Sequence, residues 1–248
     1  MYPDKYAAKN PERAAFIMAS SGQSVSYAEF EMRANRMAHL LCSEGLGQRD
    51  HFSIMMENND RYLEACAAGE RTGLYYTCIN SYLTADELAY ILDNSESQIL
   101  ITSMLKLGVA IDAVAQSHKV RKVLVVDAGA NQLPEGFEDY ATACQSFPVT
   151  PIDNERLGTA MLYSSGTTGR PKGIIRPLPE QPPAEALPIF DFLGQLWHYR
   201  EDMVYLSPAP LYHSAPQAAV NLTIRQGGTV IIMERFDPEA YLSLIEQY

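Results

Sequence analysis

The sequence predicts an α/β fold, a doubly wound, mostly parallel sheet with flanking helices. Three observations predict it. Short apolar runs alternate with stretches whose apolar residues recur at helical spacing. Single helices separate successive runs, and parallel strands need such a crossover. Helix-start chemistry stands at the head of several helical stretches, as Ser26 with Glu29 and Thr84 with Glu87.

The elements follow in chain order. Ser26 and Glu29 form a capping pair, and Phe30, Ala34, Met37 and Leu41 supply the buried stripe behind it. Gly45 suits the C-terminal stop of that helix. Phe52 to Met56 reads as a strand. Asp60 is expected to cap a helix to about Arg71, closed by Gly73. Tyr75 to Ile79 is the next strand. Thr84 and Glu87 open a second capped helix with Leu88, Ile91 and Leu92 as its stripe. Gln98–Thr102 reads as strand, Met104–Gln116 as helix and Lys122–Val126 as strand. From Asp127 the pattern weakens, with one short helix expected near Phe137 to Cys144. Thr159–Tyr163 restores strand signal. Pro177, Pro179, Pro182 and Pro183 mark an exposed loop, because proline cannot donate to a ladder. A helix is expected from Ala184 to Trp197. Met203–Leu206, Gln217–Arg225 and Thr229–Met233 give strand, helix and strand. Asp237 caps a last helix with Pro238 at its first position.

The formal charge of −11 over 248 residues argues against a general nucleic-acid surface, which needs a basic stripe. Local anion binding stays open, since a few backbone N–H groups and one lysine can hold a phosphate. Cys42, Cys66, Cys78 and Cys144 show no metal-ligand spacing and are read as small buried hydrophobes. The N-terminus carries no apolar signal-peptide run, and no stretch approaches the length of a membrane span. The expectation is a soluble, cytoplasmic protein.

The chemistry concentrates in Tyr163-Ser-Ser-Gly-Thr-Thr-Gly-Arg-Pro-Lys-Gly173, directly after a strand. Glycines let backbone approach a ligand and turn its N–H groups inward. Ser164, Ser165, Thr167 and Thr168 add rotatable donors, and Lys172 adds a point charge. Such a set suits a polyphosphate. It is not a Walker A loop, because Pro171 and Gly173 flank the lysine where that pattern needs Gly-Lys-Ser/Thr. A generic Ser/Gly loop would rarely carry this order with Pro-Lys-Gly after an apolar strand.

The stretch resembles the phosphate-binding loop of the adenylate-forming superfamily, which includes acyl- and aryl-CoA synthetases, peptide-synthetase adenylation domains and firefly luciferase. Ile79-Asn80, Leu83-Thr-Ala-Asp-Glu-Leu88, Pro208-Ala-Pro-Leu-Tyr-His213 and the run from Gly227 through Glu239 agree with the family order, so the resemblance covers essentially the whole chain. It implies an ATP-dependent carboxylic acid:CoA ligase acting through an acyl-adenylate, on a fatty or related hydrophobic acid, with ATP, Mg²⁺ and CoA. Ser165, Gly166, Thr167, Thr168 and Gly169 would wrap the β- and γ-phosphates. Ser164 would be a hydroxyl ligand of Mg²⁺, and Lys172 would hold the loop or the phosphates. His213 would lie near the acyl carboxylate and the α-phosphate.

The resemblance also implies absences. The family's adenine motif, its ribose-binding Asp, its hinge and its small C-terminal domain do not appear. The expected organisation is residues 1–156 as a first α/β portion of the large domain and 157–248 as the phosphate-loop strand with the start of a second. The chain then reads as a truncated, inactive fragment that could self-associate through exposed apolar surface. Two alternatives stand beside it: a non-catalytic nucleotide-binding or oligomerising module, and an adenylation domain that loads a carrier protein.

Overall fold

A computed structural model describes residues 1–164, 170–185 and 187–248. Helix α1 (Asp4–Lys9) leads into strands β1 (Ala14–Met18) and β2 (Ser24–Ser26). Then come α2 (Tyr27–Ser43), β3 (His51–Met55), α3 (Tyr62–Thr72), β4 (Tyr75–Cys78), α4 (Ala85–Asn94) and β5 (Ser97–Ser103). A single 3₁₀ turn precedes α5 (Leu107–Val114), and β6 (Lys122–Val126), β7 (Phe137–Asp139) and α6 (Tyr140–Gln145) follow. The last part runs β8 (Thr159–Ser164), β9 (Lys172–Ile174), α7 (Pro188–Leu196), β10 (Val204–Ser207), α8 (Ser214–Arg225), β11 (Thr229–Ile232) and α9 (Pro238–Gln247).

Capping chemistry starts several of these helices. The Thr84 hydroxyl accepts from the Glu87 N–H while Glu87 accepts from the Thr84 backbone, so both halves of the box form. Ser26 caps α2 alone, because the Glu29 carboxylate turns to Arg33 instead. The Asp237 side chain accepts from the Ala240 N–H, with Pro238 in the first turn. Asp60 does not cap α3. The helix starts one residue later, and the Asp60 carboxylate accepts from Gln23 and Arg33. Gly73 ends α3 at φ 72°, a left-handed position that glycine fills without a Cβ penalty.

The α/β architecture is mostly parallel and is divided between two sheets. One has the order β7-β6-β5-β3-β4-β8-β9, the other β10-β11-β1-β2. Among the described residues only β1–β2 and β8–β9 pair antiparallel. Strands on both sides of residue 156 share each sheet: β4 pairs with β8, and β1 with β11. Some boundaries differ from expectation. Phe137–Asp139 adds an edge strand beside β6, so the short helix begins only at Tyr140. Helix α7 starts at Pro188, since proline fits a first turn and not an interior.

The core lies between the large sheet and α2 and α3. Every residue of β4 is buried, and so is every residue of α3. Arg71 is fully buried on α3 and meets Glu31 of α2 through two parallel N–H···O bonds of 2.7 Å each. Asn35 is a further acceptor for the same guanidinium. A buried charge persists only when paired and hydrogen-bonded in this way. Gly69 lets α3 close on the sheet: a Cβ there would lie 2.6 Å from Tyr76 Cδ1 and 3.0 Å from Phe52 Cε1.

Candidate active site

Strands β8 and β9 form a hairpin at the end of the large sheet, and it carries the glycine-rich segment. The register opposes Leu162 to Ile174, Tyr163 to Gly173 and Ser164 to Lys172. Directly opposed residues project to one face, about 5 Å apart. The Ser164 hydroxyl and the Lys172 ammonium therefore share one side of the hairpin mouth. Both residues are exposed, and neither side chain has a hydrogen-bond or ion-pair partner among the described residues. Ser165, Gly166, Thr167, Thr168 and Gly169 lie outside the described residues.

Tyrosines anchor the hairpin to α4. The Tyr90 hydroxyl donates to Pro171 O at 3.2 Å, and the Arg170 guanidinium lies 4.9 Å from the Tyr90 ring centroid. The Tyr163 hydroxyl donates to Asn94 Oδ1 at 2.7 Å. Burial raises the pKa of that phenol, which keeps it a donor. Just past β9, Tyr75 of β4 donates to Arg176 O at 2.7 Å. The capping box of α4 thus fixes the start of the helix to which Tyr163, Arg170 and Pro171 are tied.

His213 occupies a different element. It precedes the first turn of α8 in extended conformation, is exposed, and has its ring 4.4 Å from that of Tyr212. Its backbone carbonyl accepts from the Gln217 N–H. The Leu211 N–H donates to Asn58 Oδ1 at 2.8 Å, and the Asn58 amide donates to Ala209 O and Met233 O, so the segment before the histidine is pinned to β11's end.

A cavity of about 580 Å³ joins the two elements. Thr159, Ala160 and Leu162 of β8 form one wall, and Ser214, Ala215 and Ala218 of α8 form another. Leu178, Phe190 and Leu193 make much of the remaining surface apolar. At one end stand Glu70, Tyr76, Gln217 and Asn221. Glu70 Oε1 accepts from Asn221 Nδ2 at 2.6 Å and from the Tyr76 hydroxyl at 3.1 Å, and Oε2 accepts from Arg225 at 3.0 Å. Gln217 Nε2 lies 2.9 Å from Cys78 Sγ and 3.6 Å from Cys66 Sγ. Burial holds the Cys66 thiol well above its ordinary pKa, so it meets the amide as a neutral group.

The structure brings Ser164 and Lys172 together at the hairpin and sets His213 directly before α8, while the cavity itself is lined by their neighbours on β8 and α8 and by none of these three side chains. Sequence reasoning missed the polar end. Glu70, Tyr76 and Asn221 come from three separated elements, and the visible hint was only the pair Gln217 and Asn221 at helical spacing. Among the described residues no cluster of three His, Cys, Asp or Glu could hold a metal ion, and no helix is long and apolar enough to cross a membrane.

A mostly parallel α/β scaffold whose hairpin β8–β9 flanks a Ser/Thr/Gly-rich segment places the chain in a broad class of α/β proteins. The AMP-binding enzyme family matches residues 3–248, and the chain belongs to that family. It is 26% identical over 96% of its length to 4-coumarate–CoA ligase 1 of Petroselinum crispum, covering 43% of that protein. It is 27% identical over 96% of its length to the long-chain-fatty-acid–CoA ligase FadD13 of Mycobacterium tuberculosis, covering 46% of that protein. The chain therefore spans somewhat under half the length of these curated relatives. The fold superposes on all of this chain and 48% of ATP-bound MatB from Rhodopseudomonas palustris, with TM-score 0.76 and 27% identity. It also superposes on the N-terminal domain of FACL13 from Mycobacterium tuberculosis, with TM-score 0.78, 24% identity, and 98% and 59% of the two chains covered.

Proposed function

We propose that the chain is the ATP-handling and acyl-binding part of a carboxylic acid:CoA ligase that works through an acyl-adenylate. The observation that carries this reading is the shared cavity. One wall is the strand that enters the glycine-rich loop, and another is the helix that begins after His213. A volume of about 580 Å³ with mostly apolar walls suits a hydrophobic acid. The similarity to CoA ligases supports the same reading.

The reaction joins a carboxylate to the α-phosphorus of ATP and expels pyrophosphate. The thiol of CoA then attacks the acyl carbon and AMP leaves. The obstacle in the first step is the approach of two anions. Lys172 stands free of any carboxylate among the described residues, so its charge is available to a phosphate. Residues 165–169 would offer N–H and hydroxyl donors to the β- and γ-phosphates. The free Ser164 hydroxyl fits a magnesium ligand, being an exposed oxygen at the loop mouth. Mg²⁺ held by Ser164 would supply charge neutralisation on the phosphates. His213 would orient the carboxylate at the N-terminal end of α8, where the first-turn backbone N–H groups would favour an anion. The tight Leu211–Asn58 bond keeps that histidine in place relative to the sheet.

The test is ATP–pyrophosphate exchange with a panel of carboxylic acids. It is run on this chain and on the chain extended through its downstream reading frame. Acid-dependent exchange by the extended protein, lost on Lys172→Ala, is the expected result. Folded extended protein that exchanges with no acid would sink the ligase reading.

A further inference from the structure

We infer that a second cavity, between α2, α3 and α6, is a binding site for a phosphate group held by Arg36 and Tyr140. The inference is independent of the ligase reading. This cavity, of about 380 Å³, shares no lining residue with the one beside the hairpin among the described residues.

Helix α2 supplies one wall. Glu29, Met32, Arg33 and Arg36 recur at a spacing of three and four residues and so lie on one face of it. Arg61 and Glu64 come from the start of α3, and Tyr140 opens α6. The residue before it fixes that helix start: Asp139 Oδ1 accepts from the Thr142 N–H at 2.8 Å.

Two of the three guanidinium groups are already matched. Arg33 pairs with Glu29 and Asp60 and lies 3.8 Å from Glu64. Arg61 meets Asp60 at 3.5 Å and Glu64 at 3.4 Å. Arg36 differs. It has no ion-pair partner among the described residues, and its Nε is buried without a hydrogen bond. Tyr140 is 2% exposed, and its hydroxyl is also buried without a partner. Glu64 stands near that hydroxyl, but the contact falls short of hydrogen-bond geometry. Burial raises the pKa of the phenol, which keeps it a donor.

Buried donors are rarely left unmet, because each then costs its desolvation in full. Here two orphaned donors and one unmatched cation line the same cavity. Together they call for a negatively charged acceptor. A guanidinium offers Nε–H and one Nη–H side by side to two oxygens, and the hydroxyl supplies a donor to a third. A phosphate presents three such oxygens, whereas a carboxylate has two. The volume exceeds that of the bare ion, and Met32 and Ala141 give it apolar wall. The site therefore has room for a free phosphate or for a small phosphate monoester.

Calorimetric titration of the extended protein with inorganic phosphate, glycerol 3-phosphate and acetate tests this. The protein carries Lys172→Ala throughout, which takes the glycine-rich loop out of the contest. The expected result is phosphate binding, with acetate at least about tenfold weaker, the worth of one hydrogen bond to a charged group. Arg36→Gln should weaken phosphate at least about tenfold and Tyr140→Phe several-fold. Tighter glycerol 3-phosphate assigns the site to an ester, and tighter inorganic phosphate assigns it to the free ion. Unfolding midpoints give a second readout. Without phosphate, Tyr140→Phe deletes an unmet donor and should leave the midpoint unchanged or raised. With phosphate, the variant should gain less than the protein that keeps the hydroxyl. No phosphate binding by folded protein overturns the inference, as does phosphate affinity indifferent to both substitutions. Acetate bound as tightly as phosphate, or a midpoint lowered by Tyr140→Phe without phosphate, overturns it as well.

Discussion

Strand β4 divides two regions built on different principles. On one side, β3, β5 and α3 form a layer in which nearly every residue is buried, charged ones included, packed against the buried face of α2. On the other, β8 and β9 are mostly half-buried or exposed, and the hairpin hangs on hydroxyl bonds from Tyr75, Tyr90 and Tyr163. The first region is fixed by packing and paired charge. The second is fixed by a few directional contacts that leave its polar groups free for a ligand. Substitutions should therefore cost stability in the first region and ligand handling in the second.

The largest effect is expected at Arg71. Arg71→Met removes a cation that compensates the Glu31 carboxylate and leaves Asn35 without its donor. Breaking a buried pair from one side costs about 3–5 kcal/mol. Urea denaturation should show that loss. A cost below about 1 kcal/mol would mean that the layer does not depend on paired charge. Next comes Gly69→Ala, which forces a methyl against Tyr76 and Phe52 across the helix–sheet contact. Overpacking there should cost about 1–3 kcal/mol in the same measurement, against the small gain in helix propensity.

Glu64 sharpens the contrast through pH. Burial pushes its carboxyl up from 4.5 to about 7, against the pull of Arg61 and Arg33. Between those values the folded protein holds a proton that the unfolded chain has released. Stability is then fully present below about pH 4.5 and falls as pH rises through about 7. Glu64→Gln should flatten this part of the stability–pH curve, and unfolding midpoints taken from pH 4.5 to 8 would show it. An unchanged slope would place the pH dependence elsewhere.

How far the sequence could be read follows the same division. Signals confined to a few neighbours were legible: the Thr84 and Asp237 caps, the Gly73 stop and the apolar run of β6 all stand where local chemistry puts them. Strands β1 and β2 were not legible. They are short, and β1 exists as a strand because β11, more than 200 residues away, pairs with it. Phe137–Asp139 looked helical for the related reason that a three-residue edge strand has no period to detect. The loop and His213 were visible as a motif. The polar end of the cavity was not, because residue 70 and residue 221 meet only through the packing of α3 against α8.

The smallest stability effect, and the clearest separation of the two regions, is expected at Tyr90. Tyr90→Phe keeps the ring and its contact with Arg170 and deletes one hydroxyl bond to Pro171 O. That carbonyl sits in a half-buried position beside exposed Arg170 and Lys172, where water can replace the lost donor. The stability cost should be about 0.5–1 kcal/mol at most. Pro171 lies between the glycine-rich loop and Lys172, so the same deletion loosens the placement of the one lysine offered to the phosphates. In the extended protein the expected result is a several-fold rise in the ATP concentration needed for half-maximal pyrophosphate exchange, with the unfolding midpoint nearly unchanged. Arg71→Met should show the reverse pattern, a lowered unfolding midpoint with ATP dependence retained by the fraction that stays folded. If Tyr90→Phe instead lowers stability as much as Gly69→Ala does and leaves the ATP dependence alone, the hairpin belongs to the packed layer, and the distinction drawn across β4 fails.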